Sequence, residues 1–151
     1  MSPFKMLIGL GLMCWSTIVF GFRRGWVKRN DIFDYAVTQL VNGVHADSED
    51  VAIIACGEYL SDDELLGLIS KQIESTDDVS DSDKWRLAFL SWIEASGDSD
   101  EDKINRLQEV YADFDYPEDM TSCSVYSQDG IPPLLAMSQV VEVLRERFSL
   151  R

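Results

Sequence analysis

Residues that commonly build active sites are scarce in this chain. It contains one histidine, His45, and three cysteines, Cys14, Cys56 and Cys123. The cysteines form neither a CxxC pair nor a disulfide framework, and we expect them to be small buried hydrophobic residues in a reducing cytoplasm. The GxSxG, P-loop, GxGxxG and HExxH patterns are also missing. These absences predict a protein that is not an enzyme and that holds no cofactor or metal.

Acidic residues are absent before Asp31. Residues 1–29 carry five basic side chains, whereas the rest of the 151-residue chain carries eight basic and 27 acidic ones, which gives a net charge of −14. A surface of this sign repels phosphates, so nucleic acid is not an expected partner. Because such an excess costs self-repulsion, it favours a role in attracting a basic protein surface.

The segment from Met6 to Phe22 has no charged residue and lies between Lys5 and Arg23–Arg24. This pattern is shared by signal-peptide cores and short membrane spans. However, the segment is at the lower length limit for a span, and no small-residue cleavage site follows it. We predict one buried core helix over residues 6–22 within the same domain, with a membrane anchor as the alternative.

The rest of the chain predicts short amphipathic helices separated by polar turns. Apolar spacing predicts helices over residues 31–42, 49–60, 62–74, 83–95 and 134–148, and another beginning near residue 98. Ser61 and Glu64 predict a capping box at the start of one of them. Residues 75–82 are predicted to form a polar connection between two helices. The expected fold is all-α: a single domain over residues 1–151, built as a bundle of six or seven short helices.

Carboxylates occur in several clusters, including Asp62–Asp63 and Asp77–Asp78. Most such clusters are solvated helix starts, where carboxylates suit the positive end of the helix. Two further interpretations stay open, a recognition surface and a metal-dependent hydrolase site. The loop pattern of a calcium-binding EF-hand is absent.

The segment from Tyr111 to Met120 mixes three aromatic residues with four carboxylates. Aromatic residues beside charges are typical of interface anchors, although these rings could also pack a helix end under the following loop. The candidate partner-binding residues are Asp113, Asp115, Tyr116, Glu118 and Asp119, with Asp62, Asp63, Asp77 and Asp78 as a second choice.

Four segments together resemble the bacterial family called domain of unknown function 2247. They are Gly21–Trp26 (GFRRGW), Asp31–Ala36 (DIFDYA), Trp85 and Tyr111–Pro117 (YADFDYP). The resemblance implies that the N-terminal segment belongs to a soluble domain. Proteins of this kind look like cytoplasmic immunity proteins, which bind and neutralise a cognate toxin. The expected partner is then a protein toxin with a basic surface, such as the C-terminal nuclease domain of a secreted effector.

Overall fold

The computed structural model describes residues 2–43 and 49–150, and within these ranges it contains helices and turns but no strand. The all-α prediction is confirmed. Eight α-helices occur there, one more than the upper number predicted. Their bounds are α1 Pro3–Gly9, α2 Trp15–Arg23, α3 Arg29–Val41, α4 Glu49–Ala55, α5 Asp62–Ser70, α6 Asp78–Ala95, α7 Asp100–Asp113 and α8 Pro133–Arg147. Two 3-10 helices cover Gly57–Tyr59 and Glu118–Cys123.

The apolar segment over residues 6–22 forms two helices, so the prediction of one continuous helix was wrong. After α1, Gly11 adopts a φ of 73°, which is favourable for a residue without a Cβ. The Gly11 amide donates to the Ile8 carbonyl, and the Leu12 amide donates to the Leu7 carbonyl at 3.1 Å. These bonds form a Schellman motif, which satisfies the last carbonyls and ends the helix. Within residues 2–43 and 49–150, no helix has the length and hydrophobicity needed to cross a membrane.

The chain divides into two compact units, and the prediction of one domain over residues 1–151 stays a prediction. The inner unit covers Met13–Asp81. In it, α3 packs on α4, and α5 packs on both α4 and α2. Its core consists of fully buried apolar side chains from these four helices. They are Ile18, Ile32, Ala36, Val51, Ile54, Leu65 and Ile69.

The terminal unit covers Met1–Leu12 and Ser82–Arg151. In it, α8 packs on α7 and on the 3-10 helix Glu118–Cys123, which also contacts α7. The core combines apolar residues of α6, α7 and α8 with two residues of the 3-10 helix. Its fully buried members include Leu87, Leu90, Ile93, Leu107, Met120, Cys123 and Leu144. The 3-10 helix is therefore anchored by its own side chains.

Helix α6 begins five residues earlier than predicted, within the segment expected to be a loop. Asp77 is the cause, because its Oδ1 accepts the Ser80 amide at 3.0 Å and caps the helix. The prediction for Ser61 is confirmed, since its Oγ accepts the Glu64 amide at 3.1 Å. The Glu64 carboxylate accepts the Ser61 hydroxyl, not the Ser61 amide expected of a capping box.

The cysteines differ in burial, which corrects the prediction that all three are buried. Cys123 is buried, Cys14 is half-buried and Cys56 is exposed at the end of α4. Burial raises the pKa of the Cys123 thiol to about 11, an effect that the nearby Asp119 charge increases. Cys123 therefore stays protonated and unreactive at neutral pH. His45 lies outside the described residues.

Candidate interaction surface

The end of α7 holds two neighbouring residues in a conformation that side chains normally avoid. Asp115 has a φ of 60° and Tyr116 a φ of 54°. The Asp115 amide donates to the Ala112 carbonyl, and the Tyr116 amide donates to the Tyr111 carbonyl at 2.9 Å. This is again a Schellman motif, with Asp115 at the position that glycine usually takes. Backbone strain of this kind persists where the surroundings impose it, and it is frequent at functional sites.

We call residues 113–131, which start at the last residue of α7, the acidic loop. Two aromatic residues in it are well exposed: Tyr116 at 64% and Tyr126 at 88%. The ring of Tyr116 stands edge-on to the Tyr111 ring, 5.0 Å between centroids, which fixes its direction. The carboxylates that the sequence predicted as contacts, Asp113, Asp115, Glu118 and Asp119, are all exposed.

A buried charge network fastens the acidic loop to the terminal unit. Arg86, on α6, is only 5% exposed. Its Nη2 donates to Asp83 Oδ1 at 3.0 Å, and its Nη1 donates to Asp119 Oδ1. The second oxygen of Asp83 accepts from Arg147 at the end of α8. A buried guanidinium requires such partners, so Asp119 is tied to α6 although it remains partly accessible.

Further hydrogen bonds fix the remainder of the acidic loop. Gln108 on α7 donates from Nε2 to the Cys123 carbonyl at 2.9 Å. Its Oε1 accepts the Val125 amide at 3.2 Å. Asp129 accepts the Ser122 hydroxyl on one oxygen and the Ile131 amide at 3.0 Å on the other. These two bonds, the Ser122 bond first, lower the pKa of Asp129. The loop therefore presents its side chains from a fixed backbone.

The sequence that contains the acidic loop carries charge of one sign. Between residues 107 and 144 the sequence contains seven acidic residues and no Lys or Arg. A cavity of 150 Å³ adjoins this stretch, lined by Asp119 and Ser122 from the loop and by Val140 and Val143 from α8. Val143 is itself half-exposed. The surface thus combines negative charge and exposed tyrosines with a depression of mixed polar and apolar lining, which suits an interface with a basic partner.

The second-choice carboxylates have other surroundings. Asp62 pairs with Arg29 at 2.5 Å, and Asp77 caps α6. Asp63 is exposed on the first turn of α5, and Asp78 lines a cavity beside Arg23 and Arg24. All four belong to the inner unit, whereas the five first-choice residues all belong to the terminal unit. The structure brings the first-choice residues onto one loop, and it spreads the second-choice residues over two helix starts.

Sequence reasoning missed several residues of this surface. It did not single out Tyr126 or Asp129, nor Arg86 and Gln108, which hold the loop in place. The absence of basic residues between 107 and 144 is a signal that could have extended the candidate region to Asp129. The partners that Arg86 and Gln108 hold in the acidic loop are distant from them in sequence, and no local pattern indicates these bonds.

No group of three or more His, Cys, Asp or Glu side chains suited to a metal is assembled within residues 2–43 and 49–150. The fold and the surface thus define an acidic all-α protein with a pre-organised, aromatic-containing exposed loop. The family model described as an uncharacterised protein conserved in bacteria, domain of unknown function 2247, matches residues 5–146. The chain belongs to that family. No curated protein and no solved structure matches the chain.

Proposed function

We propose that the protein is a cytoplasmic immunity protein, a binding protein rather than an enzyme, which neutralises a cognate bacterial toxin. The observation that carries the proposal is the acidic loop, where exposed Tyr116 and Tyr126 stand among carboxylates on a fixed backbone. Tyrosines of this kind anchor interfaces, because they bury a large area with few rotatable bonds.

The proposed partner is a toxin with a basic cleft, such as a nuclease domain at the C-terminus of a secreted effector. A nuclease cleft is positively charged because it holds phosphates. An acidic surface would be drawn to such a cleft by long-range attraction and would cover it once bound. Asp113, Asp115 and Glu118 are exposed and are the charges best placed to supply this attraction.

The test is binding of the purified full chain to the C-terminal domain of a secreted protein encoded beside it. We expect binding at low salt and loss of the toxin's activity in the complex. Tyr126→Ala and Tyr116→Ala should each weaken binding about 30-fold, since an anchor contributes roughly 2 kcal/mol.

Tyr59→Ala is the matched control, because Tyr59 is 95% exposed and lies in the inner unit. We expect it to bind like the unaltered protein. Absence of binding at low salt would contradict the proposed partner. Equal loss in the Tyr59 and Tyr126 variants would show that the acidic loop is not the contact surface.

A further inference from the structure

A cavity of 270 Å³ in the inner unit carries charges of both signs. Its walls come from α2, from the segment after α5 and from the first turn of α6. Arg23 and Arg24 line it together with Asp78 and Asp81, and Phe20 and Val19 supply apolar wall. The volume is slightly below the range of sites for drug-sized ligands, so it suits a small metabolite.

Asp81 is the buried acidic group of this cavity, with 3% of its surface exposed. Its Oδ1 accepts the Thr17 hydroxyl at 2.7 Å and the Ser16 hydroxyl at 3.3 Å. Among the described residues, no Lys or Arg forms an ion pair with it. A buried carboxylate with hydroxyl partners alone keeps a strong attraction for a cation, because burial weakens solvent screening. Asp78, one turn earlier on α6, adds a second negative charge.

The cationic groups of the cavity are the two arginines that follow the apolar segment in the sequence. The Arg24 guanidinium lies 3.5 Å from the centroid of the Phe20 ring and donates to the Phe20 carbonyl at 3.2 Å. Stacking orients this guanidinium, whose remaining N–H groups are available to an anion. Arg23 is exposed at the same end of α2. Guanidinium groups bind carboxylates and phosphates through paired hydrogen bonds.

We propose that this cavity binds a small zwitterion, of the class of α-amino acids. The ligand's ammonium group pairs with Asp81 and Asp78, its anionic group pairs with Arg23 and Arg24, and its carbon atoms contact Phe20. A ligand with a positive charge alone would face the arginines, and one with a negative charge alone would face the two aspartates. Both charges are therefore required. This site is independent of the acidic loop and of the proposed toxin.

The test is calorimetric titration and thermal unfolding of the full chain with the common α-amino acids and phosphoethanolamine. Ethanolamine and acetate, which carry one charge each, are the controls. At a ligand concentration of about 100 Kd, binding should raise Tm by ~5 °C or more. A raised Tm with a zwitterion and none with the controls supports the site. No shift with any zwitterion, or an equal shift with ethanolamine or acetate, overturns it.

Variants then locate the binding. Arg23→Gln and Asp78→Asn change exposed side chains, so both variants should fold normally. Each should lower the affinity for the zwitterion about 10-fold, because each removes one charge-assisted contact. Asp81→Asn keeps an oxygen acceptor for Thr17 and should abolish detectable binding. Lys28→Gln and Asp63→Asn change exposed charges of the same unit that do not line the cavity, and these variants should bind normally. Unchanged affinity in the first three variants, with circular dichroism confirming their fold, overturns the proposal.

Discussion

The carboxylates that make contacts stabilise different features in the acidic loop and in the inner unit. In the inner unit, Asp62 is paired with Arg29 and Asp77 caps α6. In the acidic loop, Asp119 and Asp129 fix the backbone. Asp113, Asp115 and Glu118 are exposed to solvent. A count of acidic residues therefore does not identify an interaction surface. Some carboxylates must hold the loop before others can be presented from it.

The largest effect is expected when the buried cation of the terminal unit is removed. Arg86→Met leaves Asp83 buried with Arg147 as its partner and detaches Asp119. Breaking a buried pair in this way should lower the free energy of unfolding by ~3–5 kcal/mol, which chemical denaturation would measure. Asp62→Asn, which breaks the exposed pair of the inner unit, should cost ~1 kcal/mol or less. Equal losses in the two variants would contradict the assignment of Arg86 as the anchor of the acidic loop.

An effect of intermediate size is expected on the rate at which the proposed toxin associates. Neutralising Asp113, Asp115 and Glu118 together, as Asn, Asn and Gln, should lower the association rate about 10-fold at low salt. The same treatment of Asp62, Asp63 and Asp78 should change it less than about 2-fold, because Asp62 and Asp78 lie beside arginines. Stopped-flow measurements at several salt concentrations would compare the two sets. A larger effect in the second set would indicate that the contact surface lies on the inner unit.

Local patterns in the sequence predicted most of the fold and part of the surface. Apolar spacing and the Ser61 cap placed α3, α5 and α8, because these signals act within a few residues. The division of residues 6–22 was missed, although Gly11 was visible, since uniform hydrophobicity obscures the turn that a single left-handed glycine makes. The exposed carboxylates of the acidic loop were found from their aromatic neighbours. The bond from Arg86 to Asp119 was not predicted, because it joins residues that are 33 positions apart in the sequence.

A smaller effect, on stability, is expected from relieving the backbone strain at the end of α7. Asp115→Gly places at φ 60° a residue that tolerates this conformation, and it should stabilise the fold by ~0.5–1 kcal/mol. Ser149→Gly is the matched control, since Ser149 has a φ of 56° at the equivalent position after α8. Thermal unfolding would measure both. Both variants should gain stability, and only Asp115→Gly should weaken binding of the proposed partner. Destabilisation by Asp115→Gly would contradict the inferred backbone strain at Asp115.

The smallest effect is expected from pH, on the protection from hydrogen exchange at the C-terminal end of the acidic loop. The Asp129 carboxylate accepts hydrogen bonds from Ser122 and Ile131 that lower its pKa. Because the pKa of Asp129 is lower in the folded state than in the unfolded state, its hydrogen bonds stabilise the fold fully at pH values above the unfolded pKa, near 3.8. This stabilisation is lost as the pH falls through the folded-state pKa. The Ile131 amide should therefore lose protection from hydrogen exchange in acid. The Val125 amide is an internal control, because it donates to the neutral Gln108 side chain. In Asp129→Asn, the protection of Ile131 should no longer depend on pH across this range. A parallel loss at Val125 in the unaltered protein would contradict a local effect of the Asp129 carboxylate.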